Sequence, residues 1–234
     1  MNDFATAFST ALQMIVHGDR ALAEVVLLSL RVTLTAVGLA ALVGFPVGAL
    51  VALARFPGRG MVVGLLNAFM GLPPVVVGLT VYLLLSHSGP LGALQLLFTP
   101  TAMVIAQFIL VTPIIAALTR QTVADLHEEY DEQLRSLGSR GPGMAVALLW
   151  DGRFSLLTAV LAGFGRAFAE VGAVLIVGGN INHVTRIMTT SIVLETSKGS
   201  LPLALALGLI LIGLSLSINL AAMGTRDVAY RYYG

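Results

Sequence analysis

Residues 94–119 read LQLLFTPTAMVIAQFILVTPIIAALT, and residues 120–138 continue RQTVADLHEEYDEQLRSLG. The first stretch has no charged side chain and is long enough to cross a bilayer, which takes ~20 mostly apolar residues in a helix. The second is charged far beyond what lipid accepts. The junction reads as a spanning helix emerging into water. Working outward, the same reading applies to residues 25–54, 61–86, 155–179 and 201–223, which predicts an all-α integral membrane protein with about five transmembrane helices. Composition agrees. Of 234 residues, 57% are hydrophobic and 11% charged, with a mean hydropathy of +0.92. Soluble domains carry roughly 25% charge, and a soluble chain this apolar would expose large sticky patches.

Several function classes fall away. The chain has no cysteine, which excludes disulfides, thiolate catalysis and cysteine metal sites. Net charge is +1 with no long basic run, so nothing suggests a nucleic-acid partner. His17, His87, His127 and His183 are scattered without metal-ligand spacing, and no metal site is expected. No phosphate-binding loop of the Gly-x-x-x-x-Gly-Lys-Ser/Thr type is present, and the sole lysine is Lys198. The chain is therefore expected to be no enzyme and to hold no cofactor; if ATP drives it, another chain binds the nucleotide.

The spans have internal features. Gly44 and Gly48 make a small-xxx-small pair in the first, which either permits close helix contact or arises by chance in a chain with 25 glycines. That span can tilt or bend at Pro46. Pro73 and Pro74 interrupt the second span; such breaks are tolerated where they face protein or a cavity, and a kink near a gate is the favoured reading. Pro113, with Thr112 and Gln107, marks a polar break in the third. Arg31 is expected to snorkel to the headgroups. Arg166 and Glu170 are four residues apart in the fourth span. They are expected to share a helix face, either lining a polar route or fixing helix packing.

Before the spans, Phe4, Phe8, Leu12 and Ile15 recur at helical spacing with Met14 beside them. Residues 1–21 read as a short amphipathic helix or a frayed tail, and not as a cleavable signal, because the first basic side chain is Arg20. The spans themselves set a domain at residues 22–225 and a tail at 226–234. Basic residues set the orientation. With the 120–154 connector in the cytoplasm, Arg55, Arg59, Arg120, Arg135, Arg140, Arg153, Arg226 and Arg231 fall inside and only Arg20, Arg186 and Lys198 outside. The N-terminus is then outside and the C-terminus inside. The outer connector at 180–200 is rich in donors, including Asn180, Asn182, His183, Thr185, Thr189, Thr190 and Ser191. It suits a polar entrance or a docking surface for a partner, or is an ordinary loop; its apolar residues suggest a short packed helix within it.

The inner connector is helix-competent. Asp125 and Glu128 resemble a capping pair, acids crowd the first turns, Arg135 sits near the end and Gly138 is a natural stop. A second short helix is expected at 143–150. Leu134, Leu137 and Trp150 could fill a partner's groove while the charges set register, and the segment reads as a docking element or as a solvated loop. Its residues 132–138, EQLRSLG, resemble the Glu-Ala-Ala loop of ABC importer permeases in their Glu-to-Gly spacing. Gln133 and Leu134 replace the alanines, and LLWD at 148–151 replaces the family's Ile-x-Leu-Pro ending.

Other segments extend the likeness over residues 22–225. GLPPVVVG at 71–78 and GFGRAFAEVGA at 163–173 resemble the sulfate, molybdate and tungstate permeases. VGGN at 177–180, TRIMTT at 185–190 and LETSKG at 194–199 are most similar to the tungstate branch. The resemblance implies a type I ABC importer fold in the cytoplasmic (inner) membrane, with a cytoplasmic coupling-helix loop. It implies a homodimer, a cytoplasmic ATPase dimer that binds ATP and Mg, and an extracytoplasmic oxyanion-binding protein. Tungstate is the expected cargo, with molybdate or sulfate as alternatives. The implied ATPase-docking residues are Glu128, Glu129, Asp131, Glu132, Arg135, Leu137 and Gly138. Candidates for the path or gate are Pro73, Pro74, Arg166, Glu170 and Asn180. A secondary transporter or channel would need relay residues deep in several spans, and only Glu170 fits. An intramembrane enzyme would need a paired nucleophile and base, and none is seen.

Overall fold

The computed structural model describes residues 2–17, 20–136 and 142–233, and the described residues contain helices and no strand. The helices are α1 (Asn2–Val16), α2 (Arg20–Leu53), α3 (Arg59–Met70), α4 (Pro74–Leu85), α5 (Pro100–Ser136), α6 (Pro142–Asp151), α7 (Arg153–Phe168), α8 (Gly172–Gly178), α9 (Met188–Ser197) and α10 (Leu201–Tyr233), with a single 3-10 turn at Gly92–Leu94. Among the described residues, three stretches are long and apolar enough to cross a membrane alone: Leu22–Leu53, Pro100–Leu134 and Leu201–Ala222. Two interrupted pairs, α3 with α4 and α6 with α7, raise the number to as many as five. Several hydroxyls inside these helices bond the carbonyl one turn back, as Thr35 does to Arg31 and Thr112 to Phe108, both at 2.7 Å. That keeps them satisfied where lipid offers no partner.

Several boundaries differ from expectation. The third span begins at Pro100 rather than 94, because Thr99 and Pro100 start the helix. Thr99 Oγ1 accepts from the Ala102 amide at 3.4 Å, and proline is pre-set for the first helical position. The residues before it do not continue a helix: Gln95 and Phe98 have φ of 50° and 61°. α5 then runs unbroken through Pro113 and past Asp125 to Ser136. Asp125 and Glu128 therefore cap nothing; no glycine or proline between Pro113 and Ser136 stops a helix once it is under way. The fourth span is not one helix: α7 ends at Phe168 and α8 begins at Gly172. α6 and α7 meet at a 77° bend. α2 stays helical through Pro46. α10 continues to Tyr233, so the stretch assigned as a tail from 226 is helical backbone. α1 is a helix packed along α10.

The chain divides into two compact units. The first comprises Met1–Thr35, Pro74–Gln107 and Phe168–Gly234. Here α8 lies on α4, and α9 and α1 lie on α10. Gly78 of α4 makes the first contact possible, since a Cβ there would sit 2.7 Å from Ala173 Cα. The turn at Phe98 is tied down by its amide, which donates to Val177 O at 3.0 Å.

The second unit comprises Ala36–Pro73 and Phe108–Ala167. Its centre is the α5 face bearing Val111, Ile115 and Val123, all fully buried. α2 reaches that face through Gly44 and Gly48, where a Cβ would meet α5 at 2.9 and 2.5 Å. The pair is therefore a helix contact and not a chance spacing. Met144 and Leu148 of α6 close the same core against Ala49, Ala52 and Val123. Gly163 brings α7 against Val111 and Ile115.

Candidate functional site

The docking candidates lie at the far end of α5. Glu128, Glu129 and Glu132 are exposed, and Asp131 is half-buried with its Oδ1 3.7 Å from His127 Nδ1. Arg135 belongs to α5 by its backbone, while Leu137 and Gly138 lie outside the described residues. The helix positions three acids toward solvent because the opposite face carries Val123 and Leu126, which pack in the core. α6 is held beside it by Met144 and Leu148, so its outer side is left to Val146 and Trp150, the latter 72% exposed. Arg153 stacks its guanidinium 5.2 Å from the Trp150 ring and 4.6 Å from the Phe154 ring. The result is an acidic helix end next to an exposed aromatic, a surface with both charge and an apolar anchor.

A residue missed in the sequence ties this region together. Arg59, at the first position of α3, donates from Nε to Val51 O and from an Nη to Ala52 O, both at 2.8 Å. These are among the last carbonyls of α2, which lack intrahelical donors, and a cation there also complements the helix dipole. Arg59 lines a cleft of about 350 Å³ with Arg55, His127, Glu128 and Asp131. The sequence signal was available: an arginine soon after a helix ends, with Pro57 and Gly58 forming the turn, and Gly58 taking φ +85°.

The gate candidates fall in both units. Pro73 lies in the second unit and Pro74 opens α4 in the first, with proline at its favoured first helical position. Glu170 is 3% exposed. It is not on a helix with Arg166: α7 ends at Phe168, and Arg166 occupies its last turn, where a cation suits the helix C-terminus. The expected shared helix face is thus corrected. The Glu170 carboxylate instead turns toward α8 and accepts from the Ala173 amide at 2.9 Å. Its own carbonyl accepts from Thr189 Oγ1 at 2.8 Å. Gly172 packs here on Val75, its Cβ position 2.9 Å from Val75 Cγ2. The structure therefore brings Glu170 and the start of the Pro74 helix to one place.

Asn180 has φ 51° and donates to Thr190 O at 3.4 Å. The donor-rich connector is less available than its composition implies. Thr185, Thr189, Thr190 and Ser191 are buried. Thr185 Oγ1 donates to Gly178 O at 2.5 Å and accepts from the Ile181 amide at 2.9 Å. Thr190 Oγ1 accepts from the Ile187 amide at 3.2 Å. The Thr185, Thr189 and Thr190 hydroxyls hold the turn and the start of α9, the short helix expected there, and are not free to meet an anion. No cluster of three or more metal-ligating side chains occurs among the described residues.

No family model matches the chain. A probable anion ABC transporter permease protein of Haloferax volcanii is 40% identical over 88% of this chain and 90% of its own length. A tungstate uptake system permease protein, TupB, of Peptoclostridium acidaminophilum is 38% identical over 94% of this chain and 96% of its own. The protein of the same name from Campylobacter jejuni is 37% identical over 66% of this chain and 65% of its own.

Proposed function

This chain belongs to the ABC transporter permease family, and from that premise we propose that it is the membrane subunit of an importer for tungstate. The observation that carries the cargo is the similarity, over nearly the whole chain, to a protein named for tungstate uptake. Membership of the family makes it a transport subunit and a multi-pass protein of the cytoplasmic membrane. ATP hydrolysis and its Mg belong to a partner chain in this reading, supported by the missing phosphate loop. The excess of arginine in the connectors at 55–59 and 120–154 supports a cytoplasmic C-terminus and an outer N-terminus.

Residues 120–154 serve as the coupling loop, within a transport domain spanning 22–225. Glu128, Glu129, Asp131, Glu132 and Arg135 would set register with the ATPase, and Trp150 would enter an apolar groove. Leu137 and Gly138 close the same motif in sequence. Two copies of the chain would form the path, fed by an extracytoplasmic binding protein that supplies most of the selectivity. Pro73, Pro74 and Glu170 are the gate candidates we favour. The buried carboxylate holds the start of α8, which packs on α4, so movement of either of these two helices would be felt by the other. Arg166 and Asn180 remain candidates for the path.

The test is uptake by vesicles containing the complete transporter. Tungstate should enter only with ATP and the ATPase subunit present, and excess tungstate should compete better than molybdate or sulfate. Uptake that persists without the ATPase would overturn the mechanism. Competition led by sulfate or molybdate would reassign the cargo.

A further inference from the structure

The first unit holds a cavity of about 320 Å³ formed by the start of α2, the turn before α9, α9 itself and the start of α10. Half of its lining residues are apolar, including Leu27 and Leu28 from α2 and Leu203 and Leu207 from α10. The other half is polar and carries both signs: Arg31 and Arg186, with Glu24 and Glu195. The acids have partners. His183 Nδ1 lies 2.8 Å from Glu24, and Lys198 Nζ lies 2.9 Å from Glu195.

The arginines are not matched in this way. Arg31 makes no ion pair or side-chain hydrogen bond among the described residues. Arg186 reaches Asn182 Oδ1 at 3.0 Å, but its buried Nε has no partner among the described residues. Ser191 Oγ, on the same wall, is also buried and has no partner among the described residues. Buried donors left unpaired are rare in native proteins and point to a missing acceptor.

The position of the cavity limits what that acceptor is. The apolar window of α2 begins at Leu22 and that of α10 at Leu201. The cavity therefore lies where both helices pass from a polar connector into lipid. A small hydrated oxyanion would suit the arginines, but it would also face Glu24 and Glu195 and has no use for the leucine wall. A phospholipid whose headgroup carries both a phosphate and an ammonium matches every part. Its phosphate would accept from Arg31, Arg186 and Ser191, its ammonium would lie by the exposed Glu24, and an acyl chain would run along Leu203 and Leu207.

We propose that this cavity binds one phosphatidylethanolamine molecule from the adjoining leaflet, as a fixed part of the permease. The proposal goes beyond the transport reading and holds whichever anion is carried.

The test is photolabelling of the complete transporter in vesicles by a photoactivatable phosphatidylethanolamine, with the labelled peptides mapped. Label is expected in the segments lining the cavity. Arg31→Ala with Arg186→Ala should lower it roughly tenfold or more, as loss of charge-assisted bonds to phosphate requires. Arg31→Lys with Arg186→Lys should keep a good part of it, which separates lost recognition from lost folding. A phosphatidylglycerol analogue, lacking the ammonium, should label more weakly, and millimolar tungstate or inorganic phosphate should not compete. Equal labelling of the alanine variant would overturn the site. Displacement by tungstate or phosphate would assign it to a free anion, and equal labelling by phosphatidylglycerol would remove the role given to Glu24.

Discussion

Gly48→Ala adds one methyl group where α2 meets α5. Its Cβ would lie 2.5 Å from Ala116 O, 2.7 Å from Thr119 Cβ and 2.9 Å from Arg120 N. Two of those atoms are backbone, so no side chain can rotate away. A relaxed carbon–oxygen contact is about 3.3 Å or more, which requires the helices to part locally by nearly 1 Å. A gap of ~0.5–1 Å forfeits roughly a quarter to a half of each dispersion contact, and Ala49, Ala52 and Val123 pack close by. Overpacking of this kind costs about 1–3 kcal/mol, and the unyielding backbone puts this case at the upper end. Gly38→Ala in the same helix is the control, because nothing lies within 4 Å of its Cβ position. Both variants gain alanine's better helix propensity, so their difference isolates the clash, about 2–3 kcal/mol. That corresponds to roughly 4–12 °C in melting temperature for a chain of this size. The sole tryptophan, Trp150, is a convenient reporter in detergent because α6 packs on the same core. If both variants unfold together, the account of close α2–α5 packing is wrong.

Arg59→Ala should cost about 1–3 kcal/mol by unpairing two α2 carbonyls, read in the same melt; an unchanged melting temperature would mean that water replaces the guanidinium fully. Glu170→Gln keeps an acceptor for the Ala173 amide and should stay close to the parent protein in stability, whereas Glu170→Ala should lose about 1–3 kcal/mol. Equal melting of those two variants would show that the carboxyl oxygen does not hold α8. Glu132→Arg changes an exposed side chain, so folding should be unaffected while co-purification of the ATPase subunit is lost; retained association would move the docking surface elsewhere.

Where a signal was local and strong, the sequence was legible. The Pro-Pro pair at 73–74 did mark a break, and the helix expected at 143–150 occupies Pro142–Asp151. Thr99 and Pro100 carry a helix-start signature of their own, masked by the apolar residues from Leu94 that made one long run. Asp125 and Glu128 show the opposite error. They have the residue types of a cap, but a helix already under way from Pro100 costs little to extend through them. The break after Phe168 had no local sign, because no proline occurs between 163 and 173. It depends on Glu170 folding onto α8 and on Thr189 binding the Glu170 carbonyl, nineteen residues apart in sequence. The same long-range bonding hid the buried state of the threonines near α9, which composition alone presents as free donors.

From Ile114 to Ser136, α5 has neither proline nor glycine. That is a rod of roughly 35 Å at 1.5 Å per residue. Its upper part is wedged by Gly44 and Gly163 and its lower end carries Glu132 at the surface. With no joint between them, a nudge at Glu132 cannot dissipate by flexing. A swing of about 5° displaces one end by roughly 3 Å relative to the other over that length, more than a packed core absorbs. Stiffness at this one helix would oblige the surrounding core to repack whenever its exposed end is pulled.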